Sequence, residues 1–120
     1  MSDIDIAARY VKKAEWAKEK GIEFSLSFFE YKKLSNRKRC AYSDIEFSEY
    51  VDGKPVDSFR MKTLERINND LGYTYDNVIA VCYGINVLKG TWENPNNQLS
   101  FELVSKVVKN IHKIKRQYEN

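Results

Sequence analysis

The side chains able to do chemistry in this 120-residue chain are few: one histidine, two cysteines, and cations gathered into two clusters. With a single histidine, a His₃ or His₂-carboxylate metal centre cannot be assembled within the chain. A Ser-His-Asp or Cys-His nucleophile would have to use His112, which sits in a basic helical tail. Cys40 and Cys82 stand far apart and make no disulfide framework. Phosphate is the better-matched chemistry. Residues 32–39 carry Lys32, Lys33, Arg37, Lys38 and Arg39 with no acid, and the tail from Ser100 carries Lys106, Lys109, Lys113, Lys115 and Arg116 against Glu102 and Glu119. Over residues 44–57, between the clusters, Asp44, Glu46, Glu49, Asp52 and Asp57 face only Lys54. The net charge of +3 is therefore modest but uneven. Such clusters suit a nucleic-acid backbone, where each neutralised phosphate releases condensed counterions. Lys-rich helix faces also serve as plain solvated surface.

The elements that must position these groups can be read along the chain. Ser2 followed by Asp5 resembles a capping box, and Ile6, Tyr10, Ala14 and Ala17 then recur at helical spacing until Gly21. Ile22, Phe24 and Leu26 alternate with polar residues, a short strand pattern. Ser27 with Glu30 opens a second helix, with Phe28, Tyr31 and Leu34 inward. Phe47–Val51 and Val56–Phe59 flank Asp52-Gly53, a hairpin-turn dipeptide, and Pro55 argues for an edge position. Thr63–Ile67 and Val78–Cys82 are predicted strands joined by a polar loop, and Ile85–Trp92 reads as a short helix. Asn94-Pro95-Asn96-Asn97 breaks the chain, and a last helix carries Phe101, Val104, Val108 and Ile111 on one face.

Several fragments in this middle stretch occur in a specific order. Cys40-Ala41-Tyr42-Ser43 precedes Thr63-Leu64-Glu65-Arg66-Ile67-Asn68-Asn69; then come Gly72-Tyr73-Thr74, Asp76-Asn77-Val78-Ile79-Ala80-Val81-Cys82 and Asn86-Val87-Leu88-Lys89. The series resembles the HNH, or His-Me finger, endonucleases, especially their small phage-type branch. That branch typically reads Cys-x-x-Cys or Cys-x-x-Thr-Gly, then Leu-Asp-Arg-Ile-Asp, Gly-Tyr, Asp-Asn-Val, Val-Cys-x-x-Cys-Asn and Lys. The resemblance covers residues 40–92 and implies an α+β fold with a ββα core and flanking N- and C-terminal helices. It implies a carboxylate at Glu65, a residue in the general base's place at Arg66, a loop asparagine at Asn77 and a helical metal ligand at Asn86. On this reading Glu65 and Asn86 hold Mg²⁺ or Mn²⁺, hard ions that take oxygen ligands and keep several waters. Asn77 orients water and Arg66 steadies the phosphate.

The departures from the family pattern are equally specific. Arg66 replaces the usual histidine; it is common there in the phage-type branch, yet it stays protonated and cannot take a proton from water. Glu65 is one methylene longer than the expected Asp, which displaces any ion at a site that needs close placement. Of the two Cys-x-x-Cys knuckles that close a Cys₄ zinc site in many relatives, only Cys40 and Cys82 remain, with Ser43 and Ile85 in the second places. Two thiolates do not close a tetrahedral site, so structural Zn²⁺ is not expected and both cysteines are read as small buried residues lying side by side. Asn77 also suits a simple turn, Gly72 a positive-φ bend, and Tyr73, Tyr75 and Trp92 a core.

These readings converge on one domain over residues 1–120: a helical and short-strand extension (1–39), an HNH-like core (40–92) and a basic C-terminal helix (93–120). The expected function is nucleic-acid binding by a phage-encoded protein of HNH descent, with weak or lost metal-dependent cleavage. The alternatives are an active Mg²⁺-dependent nicking endonuclease and a catalytically dead fold that binds a host protein. Expected phosphate contacts are Arg37, Lys38, Arg39, Arg66 and Lys89, with DNA ahead of RNA as partner and a monomer or homodimer as the assembly. The acidic start lacks the basic opening of a secretory signal and no apolar run approaches a membrane span, so a cytoplasmic protein is expected.

Overall fold

The computed structural model describes residues 2–119 and shows a mixed α+β chain. Its packing divides into two compact units, residues 1–86 and 87–120. In the first unit, helix α1 (Asp3–Glu19) starts where Ser2 Oγ accepts the Asp5 N–H at 3.2 Å, with Asp3 and Asp5 at the positive end of the helix dipole. It stops at Gly21, whose φ of +70° few other residues adopt readily. Helix α2 (Phe28–Ser35) begins in a complete capping box: Ser27 Oγ accepts from Glu30 N, and Glu30 Oε1 accepts from Ser27 N. Tyr31 and Leu34 of α2 are buried as their spacing predicts.

The predicted strand at 22–26 forms no ladder. Its partner is a loop, and only Phe24 and Tyr73 pair, as an isolated parallel bridge. Two backbone bonds fix that contact, Tyr73 N to Glu23 O (2.8 Å) and Ser25 N to Tyr73 O (2.9 Å). Gly72 serves this approach and not a positive-φ bend: a Cβ there would lie 2.5 Å from Glu23 Cβ and 2.6 Å from the Glu23 carbonyl oxygen. Tyr73 is thereby buried, with Phe24 and Trp16 against its ring. Tyr10 gathers Phe24, Phe28 and Tyr31 at centroid distances of 5.4–5.7 Å, and its hydroxyl donates to Leu26 O.

Strands β1 (Tyr50–Val51) and β2 (Lys54–Pro55) pair around Asp52 and Gly53, both in the left-handed region, as a two-residue hairpin turn demands. The hairpin is shorter than its sequence pattern. Asp57 caps a 3₁₀ turn over Ser58–Arg60 by accepting from Phe59 N, and its own N–H is taken by Ser48 Oγ. Strands β3 (Lys62–Arg66) and β4 (Val78–Cys82) then pair antiparallel, from Lys62 opposite Cys82 to Arg66 opposite Val78. Because side chains alternate along a strand, Lys62, Leu64 and Arg66 share one face with Val78 and Ala80, while Thr63 and Glu65 share the other with Ile79 and Val81. Leu64 and Val78 pack with the α1–α2 core. Ile79 and Val81 belong to a second cluster with Cys40, Cys82, Phe47 and Ile85.

Helix α3 (Tyr83–Glu93) follows β4 directly, and the division at 86/87 falls within it. In the second unit, Asn97 Nδ2 donates to the carbonyls of Thr91 and Leu99, shaping the break, and helix α4 (Phe101–Glu119) starts where Ser100 Oγ accepts from Leu103 N. Trp92 meets Phe101 edge-on at 5.9 Å, while Val108 and Ile111 of the α4 apolar stripe stay exposed. Among the described residues, no helix is long and apolar enough to cross a membrane.

Candidate functional site

The stretch from β3 through the long loop to β4 and α3 holds Glu65, Arg66, Asn77 and Asn86. Glu65 is half-buried in β3, on the sheet face whose neighbours Ile79 and Val81 cluster with Ile85 of α3. Its Oε2 is closed off from solvent. Asn86 lies in the first turn of that helix and is partly exposed. Arg66, one residue along the strand from Glu65, projects to the opposite face. There its Nη1 donates to the carbonyls of Asn69 and Leu71, both at 3.0 Å, and its guanidinium lies 5.3 Å from the centre of the Tyr73 ring. The strand thus separates Arg66 from Glu65, and Arg66 holds the loop.

Asn77 works on the same loop from its other end. Its side chain is buried; Oδ1 accepts from Asn68 N at 2.9 Å, and Nδ2 donates to Asn68 O (3.0 Å) and Gly72 O (2.9 Å). Both amide hydrogens are therefore engaged within the loop, so Asn77 has none with which to orient a water. Ile67 N to Asn77 O, at 2.8 Å, closes the hairpin base.

The cysteines are adjacent, as read from the sequence. The segment from Cys40 to Ile45 turns tightly, with Asp44 N bonded to Cys40 O, and Ala41 N reaches Ala80 O on β4. Cys40 Sγ accepts the Cys82 N–H at 3.3 Å. Burial pushes the Cys40 thiol up, but the Ser43 hydroxyl and the N–H groups of Cys82, Ser43 and Tyr42 outweigh it and hold the pKa below the usual range. Cys82 shows the opposite balance: burial first, then Cys40 beside it, push its thiol up to about 11 from 9.0. In that interval the unfolded chain has lost a proton that the folded chain keeps, so stability falls as pH rises above 9. Urea midpoints measured from pH 8 to 11 are expected to drop for the native chain more than for Cys82→Ala. A thiol reagent at pH 8 is expected to leave Cys82 unmodified until the chain unfolds.

The expected phosphate contacts fall into different settings. Arg37 and Lys38 are exposed, directly after α2. Arg39 is tied to Glu46 at 3.1 Å and to the Asp44 carbonyl at 2.9 Å. Lys89, in the second unit, pairs with Glu93 at 2.8 Å. Lys62 was not legible as a functional residue. It is half-buried, its ammonium donates to the Ser35 carbonyl and lies 4.9 Å from the centre of the Phe47 ring, and burial lowers its pKa. Its phase with Leu64 on the inner face of β3 is the signal that could have found it.

For a metal, the donor chemistry at Glu65 and Asn86 is hard oxygen, which suits Mg²⁺ or Mn²⁺ with water completing the shell. Among the described residues no group of three or more His, Cys, Asp or Glu side chains is gathered for a metal. Compared with known proteins, the chain matches no protein-family model and no solved structure. It is 32% identical over 83 residues to an uncharacterized protein of Acanthamoeba polyphaga mimivirus, covering 69% of this chain and 14% of that protein. It is 37% identical over 65 residues to an uncharacterized 29.0 kDa protein of Enterobacteria phage T4, covering 54% of this chain and 24% of that one. The chain thus resembles segments of two larger viral proteins, spanning less than a quarter of either.

Proposed function

We propose that this chain is a virally encoded nucleic-acid-binding protein of HNH-endonuclease descent that acts on DNA, with weak or lost metal-dependent phosphodiester cleavage. The observation that carries the reading is the antiparallel β3–β4 pair running directly into α3, with Cys40 against the end of β4 and Ile85 packed in the cluster of Cys40 and Cys82. A ββα unit of the His-Me type with two half-knuckles needs this order of parts. The viral origin of both similar proteins agrees with a phage-type source. A divalent ion held by Glu65 and Asn86 would supply charge stabilisation at a scissile phosphate. The chain's own residues supply less: the Arg66 guanidinium is turned away from Glu65 and bound to the loop, and Asn77 holds the loop together. The chain therefore brings electrostatics and a shaped loop to DNA, without the usual base.

Supercoiled plasmid with Mg²⁺ or Mn²⁺ tests the reading. Slow appearance of open circle, abolished by Glu65→Ala, or retardation of the plasmid without cleavage, is the expected result. Rapid and complete nicking would replace it with an active endonuclease. Neither cleavage nor retardation would remove DNA in favour of a host protein.

A further inference from the structure

Four cations converge on a cavity of about 490 Å³ in the first unit, on the sheet face opposite Glu65. Arg9 comes from α1, Arg37 and Lys38 from the segment after α2, and Lys62 from β3. We infer that this cavity is an anion site that takes a phosphomonoester, the phosphate of a free nucleotide or of a nucleic-acid strand end.

Lys62 makes the strongest demand. Its ammonium is half-buried, and among the described residues no carboxylate pairs with it; only the Ser35 carbonyl and the face of Phe47 meet it. An ammonium half removed from water without a counter-charge carries part of the desolvation cost of a buried charge, and a bound anion offsets it. Glu46, the one carboxylate among the described residues that line the cavity, is already paired with Arg39. The site therefore holds a surplus of positive charge that its own residues leave uncompensated.

Shape selects among anions. The cavity reaches down to Ile6 and Leu64, residues of the α1–α2 core, and Tyr31 and Phe47 form part of its wall. Its volume suits a nucleotide-sized ligand. The interior phosphate of a strand carries one charge and must continue in both directions. A terminal phosphate carries up to two charges and enters from one side, which matches a cationic recess floored by core. Cleavage plays no part here, so a failed plasmid assay leaves this inference standing.

Titration calorimetry on the full chain tests it, with inorganic phosphate, a deoxynucleoside 5′-monophosphate, and matched single-stranded oligonucleotides bearing a 5′-phosphate or a 5′-hydroxyl. One-to-one binding of a phosphomonoester probe is expected, weakened at least about tenfold by Lys62→Met and by Arg9→Gln. Lys62→Met gives up the bond to the Ser35 carbonyl together with a half-buried charge, and Arg9 is exposed on α1, so melting curves of both variants are recorded alongside and a cooperative melt shows that the fold is kept. If the mononucleotide binds as tightly as the phosphorylated oligonucleotide, the source is a free nucleotide. A preference for the 5′-phosphorylated strand over its hydroxyl twin, lost in Lys62→Met, assigns a strand end. The inference is overturned if no phosphomonoester binds at millimolar concentration, or if the two variants bind every probe as the native chain does.

Discussion

The double variant Ser43→Cys, Ile85→Cys is expected to bind one zinc ion per chain at nanomolar affinity or better. Cys40 Sγ already sits among donors of the kind a thiolate ligand uses, from the Ser43 hydroxyl and the N–H groups of Cys82, Ser43 and Tyr42. Position 85 packs in the same cluster as the two native thiols. Thiols at 43 and 85 would complete four sulfur donors, two on the turn after Cys40 and two where β4 runs into α3, the set that closes a tetrahedral site. Structural zinc contributes on the order of 10–16 kcal/mol in small domains, against roughly 2–4 kcal/mol for truncating a packed isoleucine. The variant should therefore melt well above the native chain in zinc and below it in a chelator. Metal analysis after gel filtration and the Co²⁺ charge-transfer band report the site; absence of both would mean that the two half-knuckles are a coincidence of spacing. Each single variant offers three thiols and is expected to bind far more weakly.

Asn77→Ala is expected to destabilise the first unit by about 3–4 kcal/mol, near 1 kcal/mol for each of three lost hydrogen bonds plus the cost of leaving Asn68 and Gly72 groups unsatisfied. For a unit of this size that corresponds to a fall in Tm of roughly 15 °C or more. Asn77→Asp keeps the acceptor to Asn68 N but turns a buried carboxylate oxygen onto the Asn68 and Gly72 carbonyls, and should destabilise at least as much. Proteolysis within residues 67–76 should rise in step, because Asn77 and Arg66 hold the loop from opposite ends. A native-like melt of Asn77→Ala would show that the loop is held by other contacts.

Local chemistry explains which parts of this fold were legible. The Ser27–Glu30 capping box and the Asp52-Gly53 turn are decided by neighbouring residues, so both appear as read. β4 matches its apolar run because it is buried on both faces. The segment at 22–26 has a strand's alternation but meets a loop, and alternation does not reveal what lies opposite. The loop bonds of Arg66 and the close approach at Gly72 were not legible for a related reason: they depend on which carbonyls the loop presents and how closely residue 23 passes. The cationic cavity was illegible because Arg9 on α1, Lys38 after α2 and Lys62 on β3 are far apart in sequence and are brought together by the packing of α1 and α2 on β3.

Affinity for duplex DNA measured against salt tests the central claim most directly. Among the described residues Arg37 and Lys38 make no ion pair, whereas Arg39 and Lys89 do and Arg66 serves the loop. With the α4 cations contributing in part, a log–log slope of about −2 to −5 is expected, less steep by about 1 for each of Arg37→Gln and Lys38→Gln. A flat salt response, or no binding even at about 20 mM salt, would contradict a DNA-binding function.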